Sequence, residues 1–218
     1  MGYPDAESFV TPERARLAHA SRALVAAVLE VPDASEDELR VAADATEDLV
    51  ATLSSGGPSA PEARGGRRHA DYLPRSPLVG NLNPVAPPFT YDASPDGIVA
   101  RGTFGAAYEG PPGYVHGGWV ALAFDEALGM ANIASGHPGM TARLAIRYRR
   151  PTPLHTELQL DAHTERVDGR RITTTGTLSA GDVVTAEAEG LFVQLGAERS
   201  LEYFGDRAAS EEPTDPLP

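Results

Sequence analysis

The chain contains no cysteine. That excludes disulfides and a thiol nucleophile, and it fits a reducing compartment. Positive charge is also scarce: 18 basic residues stand against 31 acidic ones in 218, a formal net charge of -13. Such a surface repels nucleic acid and anionic membranes, so no nucleic-acid role is expected. No stretch reaches the eighteen consecutive apolar residues of a spanning helix, which argues against membrane insertion. The first thirty residues mix Asp5, Glu7, Glu13, Arg14 and Arg16 with apolar ones, unlike a signal peptide. The expected setting is the cytosol, and the expected size is one main core with an appendage.

What is present divides the chain into four parts. Thr11-Pro12-Glu13 has the form of a helix start, followed by Leu17, Ala20, Leu24 and Val28 at helical spacing. Ser35 to Glu38 has capping-box spacing, and Leu39, Ala42, Ala43, Leu49 and Leu53 continue an apolar stripe. Residues 1–53 are therefore expected to form a helical hairpin used for packing or dimerisation. Residues 54–76 are rich in Gly, Pro and Ser and are expected to be a flexible linker, with Arg64, Arg67 and Arg68 as solvated charge. Five prolines between Tyr72 and Tyr91 predict an extended strap rather than helix or central strand. The main domain is expected over 77–198, and an acidic tail over 199–218.

Within the main domain, runs of strand character cover 98–104, 141–148, 157–167, 171–178 and 183–195. Asp168-Gly169 and Ala180-Gly181-Asp182 join neighbouring runs as hairpins, so the sheet is antiparallel. A single long helix begins near Gly117, after the first of these strands. In the last strand Val184, Ala186, Ala188, Gly190 and Phe192 share one face, opposite Thr185, Glu187 and Glu189. Small residues in that row let a helix approach closely. The segment from Trp119 to Ile133, polar only at Asp125, Glu126 and Asn132, is the natural occupant. The expected class is α+β, an antiparallel sheet wrapped around one central helix.

Two features of that helix carry possible chemistry. Asp125 has only apolar or small helical neighbours, Ala121, Leu122, Leu128 and Gly129. An ionised carboxylate there needs either a polar groove or an exposed stripe, because unpaired burial is expensive. Gly117 and Gly118 stand where the helix begins. The N–H groups there lack intrahelical partners and carry the positive end of the dipole, so they suit a substrate carbonyl; loose turn residues are the alternative. Eight residues separate Gly117 from Asp125, roughly 12 Å along a helix. If the two cooperate on one carbonyl, they come from different chains, at the interface of a homo-oligomer.

Elsewhere, the six histidines show no metal-ligand spacing, and no metal is expected. Arg143, Arg147 and Arg149 fall on one face of their strand and Arg150 on the other. They suit either the phosphates of a ligand or nearby acids. Trp119, Phe124 and Met130 are expected in the core or the wall of a ligand pocket.

Val115-His116-Gly117-Gly118, with Asp125 nine residues after the histidine, resembles the motif of hotdog-fold acyl-CoA thioesterases of the PaaI/4HBT superfamily. Glu109 to Gly113, and Thr141 to Leu144 leading to Tyr148-Arg149-Arg150-Pro151, resemble its THEM4-like branch. The similarity covers about Pro77 to Leu195. It implies a hotdog domain assembled into dimers or tetramers with active sites at the interface, acting on an acyl-CoA without a resident cofactor. It implies Asp125 as nucleophile or general base, with Glu126 outside the chemistry. Gly117 N–H would polarise the thioester carbonyl, His116 would shape that site, and Thr141 would position water or the carboxylate. Gly118 would contact substrate, and the density of arginines in an otherwise acidic chain suggests that Arg149 and Arg150 meet the phosphates of coenzyme A. Some PaaI-type members carry Asn six residues before the histidine; here that position is Gly110. Two rival readings are an acyl-CoA or acyl-carrier binding module without turnover, and an enoyl-thioester hydratase or dehydratase. The second is disfavoured because no histidine follows His116 on the helix.

Overall fold

Residues 11–31, 33–55 and 73–196 are described by the computed structural model. The tail 199–218, most of the linker and the Arg64, Arg67 and Arg68 cluster lie outside these residues.

Helix α1 (Pro12–Glu30) starts as its sequence dictates, with Pro in the first turn and the Thr11 hydroxyl accepting the Arg14 N–H. Helix α2 (Glu36–Ser54) opens with a complete capping box between Ser35 and Glu38. The Ser35 hydrogen bonds hold the Glu38 carboxyl below its ordinary pKa. Leu53, at the end of α2, returns beside Arg14 and Leu17 at the start of α1, around a cavity of about 640 Å³. The two helices differ in attachment. Ala18 of α1 is buried, and the Arg22 guanidinium donates to the carbonyls of Ala86 and Asn83 at 2.7 and 3.1 Å. Helix α2 buries nothing.

The strap approaches the domain through a short 3-10 turn (Leu73–Arg75), after which Ser76 and Leu78 are buried. Six antiparallel strands follow: β1 (Thr90–Ser94), β2 (Gly97–Gly102), β3 (Met140–Tyr148), β4 (Leu158–Asp168), β5 (Arg171–Ala180) and β6 (Val183–Val193). Their order across the sheet is β1-β2-β4-β5-β6-β3. Helix α3 (Gly117–Ala134) lies in the curve of this sheet, so the α+β expectation of a sheet wrapped around a central helix holds.

The core is the contact of α3 with the sheet. Phe124, Ala127, Leu128 and Ala131 are fully buried against inward-facing Leu158, Ile172, Leu178 and Phe192. Removing side chains from β5 and β6 makes room for them. A Cβ on Gly176 would lie 3.2 Å from Leu128 Cδ2, and one on Gly190 only 3.0 Å from Leu128 Cδ1. Asn132 is buried as well. Its amide oxygen accepts from the hydroxyls of Thr164, at 3.0 Å, and Thr174.

Three details depart from the expected pattern. Strand β1 was hidden in a polar stretch and pairs with β2 through a tight turn. Thr185, assigned by alternation to the outer face, is buried, because a register shift beside Ala186 displaces it. A second shift, between Thr141 and Arg143 on β3, has consequences for the site.

Candidate active site

The turn before α3 is held at several points. Gly110 N–H donates to Tyr114 O at 2.9 Å, and the Glu109 carboxylate accepts from Gly113 N–H at 2.7 Å. Gly113 has φ +81°, a conformation that favours glycine. Val115 N–H then donates to Thr152 O and His116 N–H to Tyr108 O, both at 2.8 Å. The close approach extends to Gly110, where a Cβ would stand 2.7 Å from the His116 Cα.

This framework delivers His116 as the N-cap of α3. Its Nδ1 accepts the Gly118 N–H at 3.0 Å, so the ring proton sits on Nε2, which faces outward on an exposed side chain. Gly118 N–H is thereby occupied. Gly117 N–H has no hydrogen-bond partner among the described residues. It stands at the positive end of the α3 dipole and borders a cavity of about 400 Å³ with Pro111, Tyr114, Tyr148, Arg150 and Thr152. The arrangement presents one unsatisfied, preoriented donor to an open space, which is what polarising a carbonyl requires.

Asp125 lies two turns along α3 and is half-buried. Its Oδ1 accepts the Thr141 hydroxyl at 2.9 Å. The register shift on β3 produces this contact, because the extra residue Ala142 turns Thr141 toward the helix while Leu144 and Ile146 also face inward. Glu126 is in a different environment. Burial raises its pKa, the Ser76 hydroxyl partly offsets this, and the charge of Asp125 adds to the rise. Tyr91 faces the same place, and burial, then the charge of Glu126, pushes its phenol up. The adjacent acids are thus separated: Asp125 toward the open side and β3, Glu126 under the strap.

The arginines separate too. Arg149 pairs with Glu187 at 2.6 Å, and Arg143 pairs with Glu189 at 3.0 Å, both on the outside of the sheet. Arg149 and Arg150 both border the cavity; Arg149 is held there by Glu187, and the Arg150 guanidinium has no partner among the described residues. One residue quoted in the sequence motif was given no role there. Tyr148, the last of β3, donates its hydroxyl to Gly117 O at 2.8 Å. Its inward direction follows from alternation with Leu144 and Ile146, the signal that could have found it.

A sequence profile described as the thioesterase superfamily matches residues 112–188, which include His116, Gly117, Asp125, Thr141 and Arg150. A crystal structure of a thioesterase superfamily protein is 35% identical with a TM-score of 0.73, and the match covers 83% of this chain and 90% of that one. The chain belongs to the thioesterase superfamily. Its fold is the hotdog. Among curated relatives, the acyl-coenzyme A thioesterase THEM4 of Mus musculus is 34% identical over 99 residues, 44% of this chain and 43% of that protein. The Xenopus laevis THEM4 is 33% identical over 93 residues, 42% of each. This thioesterase superfamily member thus spans less than half the length of those curated relatives.

Proposed function

We propose that the chain is an acyl-CoA thioesterase, hydrolysing an acyl-CoA to a carboxylic acid and free coenzyme A, and that it works as a homodimer or an assembly of dimers. The observation that carries this reading is the division of the two glycine amides: Gly118 N–H is consumed by His116, and Gly117 N–H is left open to a cavity. A thioester carbonyl seated there gains a donor that strengthens as negative charge develops on oxygen. Asp125 attacks the carbonyl carbon, or takes a proton from the attacking water, with Thr141 fixing its orientation. Arg150, and Gly118 through the cap it completes, serve binding; Arg149 lines the same cavity with its charge shared with Glu187. The reaction needs no metal or resident cofactor.

Assembly follows from the same geometry. Gly117 and Asp125 of one helix are roughly 12 Å apart along its axis. Among the described residues β3 pairs only with β6, which leaves an open strand edge. On α3, Leu122, Asp125 and Met130 are only partly covered and Ile133 is exposed. A second copy closing on this side brings the partner subunit's Asp125 toward Gly117. No helix among the described residues is long and apolar enough to cross a membrane. A cytosolic setting fits a chain without cysteine.

The test is thiol release from a panel of acyl-CoAs by wild type, Asp125→Asn and Gly117→Pro. Proline removes the N–H at a helical position that tolerates it. Each variant alone is expected to lose at least about 100-fold in kcat. Mixed and reassociated, the two variants should recover roughly a quarter of wild-type activity, because half of the dimers carry one intact site. Equal rates for wild type and Asp125→Asn remove the acid from the mechanism and favour a binding module. No recovery on mixing rejects sites shared between subunits.

A further inference from the structure

We infer that Tyr148 is a positioning residue for the Gly117 donor, acting through the peptide between Gly117 and Gly118; this rests on the thioesterase reading above. The Tyr148 hydroxyl donates to Gly117 O at 2.8 Å. The N–H of the same peptide, on Gly118, donates to His116 Nδ1 at 3.0 Å. One peptide plane is therefore gripped at both ends, by a phenol on β3 and by the imidazole that caps the helix. Hydrogen bonds in series polarise one another, so the phenol strengthens the cap bond, and the cap keeps the imidazole proton on Nε2.

The Gly117 N–H lies in the preceding peptide, whose carbonyl, His116 O, accepts the Trp119 N–H at 2.9 Å, so gripping the next peptide fixes the second of the two planes that meet at Gly117. Glycine is the residue with the most backbone freedom, and the first residue of a helix is the one most prone to fray. Its N–H must nevertheless point steadily at one place to stabilise a developing oxyanion. The Tyr148 ring reinforces the restraint. A Cβ on Gly117 would lie 3.3 Å from Tyr148 Oη and 3.4 Å from Cζ, so the ring covers the glycine on one side. Core packing does not explain the arrangement, since Tyr148 is 52% exposed. Its ring instead forms part of the cavity wall beside Gly117 and Arg150, where the thioester would sit.

Tyr148→Phe removes the hydroxyl and keeps the ring. The expected result is a fall in kcat of about tenfold, the loss of one hydrogen bond that orients a donor. KM for acyl-CoA should stay within about twofold, since the ring and Arg150 remain. Independently of turnover, the Gly118 amide proton should move upfield in the NMR spectrum as its bond to His116 weakens. A kcat within twofold of wild type overturns the inference, as does a raised KM with unchanged kcat, which would make the ring only a wall. An unmoved Gly118 resonance overturns it too. A wild type that releases no thiol from any acyl-CoA rejects the thioesterase reading, and the inference with it. Normal wild-type turnover with an indifferent Tyr148→Phe rejects the inference alone.

Discussion

Helices α2 and α3 are nearly the same length, 19 and 18 residues, yet one buries no residue and the other buries seven. The first is specified locally. A capping box, an acidic first turn and an apolar stripe along one side define it, and Leu39, Val41, Val50 and Leu53 remain more than half exposed. The second carries a histidine cap, two glycines and no charge in its first turn, and its hydrophobicity runs around most of its circumference. Tertiary burial stabilises it. Local signals write a helix that can stand at a surface, whereas a helix that carries a site is written by what surrounds it.

The largest effect that separates these helices is core truncation. Leu128→Ala should destabilise the domain by about 2–5 kcal/mol in denaturant unfolding, because Leu128 is fully enclosed and its pocket is walled by backbone. Val50→Ala on α2 should change stability by less than about 0.5 kcal/mol. A cost near that of Leu128→Ala would show that α2 is packed in the assembled protein. A smaller effect concerns ligand binding at the start of α3. Arg150→Ala should raise KM for acyl-CoA by about tenfold while sparing a substrate truncated to acyl-pantetheine. An equal rise for both substrates would separate Arg150 from the coenzyme phosphates.

The smallest effect comes from Glu126. Its folded-state pKa is raised above its ordinary 4.5, mainly by burial. The protonated form is therefore favoured by folding, and that contribution is complete below the unfolded pKa and lost as pH rises through the folded one. Glu126→Gln should melt at a slightly higher temperature than wild type at neutral pH, with the gain vanishing below pH 4.5. A variant less stable than wild type at neutral pH would mean that the charge itself holds the strap.

Much of this was legible before any coordinates. Strands β2 to β6, the turns at Gly169 and Gly181 and the central helix follow from alternation and punctuation, because each depends on neighbours in sequence. Strand β1 did not show itself, since Asp92, Ser94 and Asp96 give it no apolar row and its pairing with β2 defines it. The contact of Thr141 with Asp125 depends on a single extra residue in β3, and a bulge has no reliable mark in sequence. The fates of Asp125 and Glu126 diverged for a similar reason. Successive residues on a helix point about 100° apart, and only the strap and β3 determine which side is open.

Gly110 bears on how this protein can change. A Cβ there would stand 2.7 Å from the backbone of His116, the residue that caps α3. Any side chain at this position has to displace the cap. The turn and the helix cap are therefore one fitted unit, in which position 110 can gain a side chain only if the backbone at position 116 moves with it.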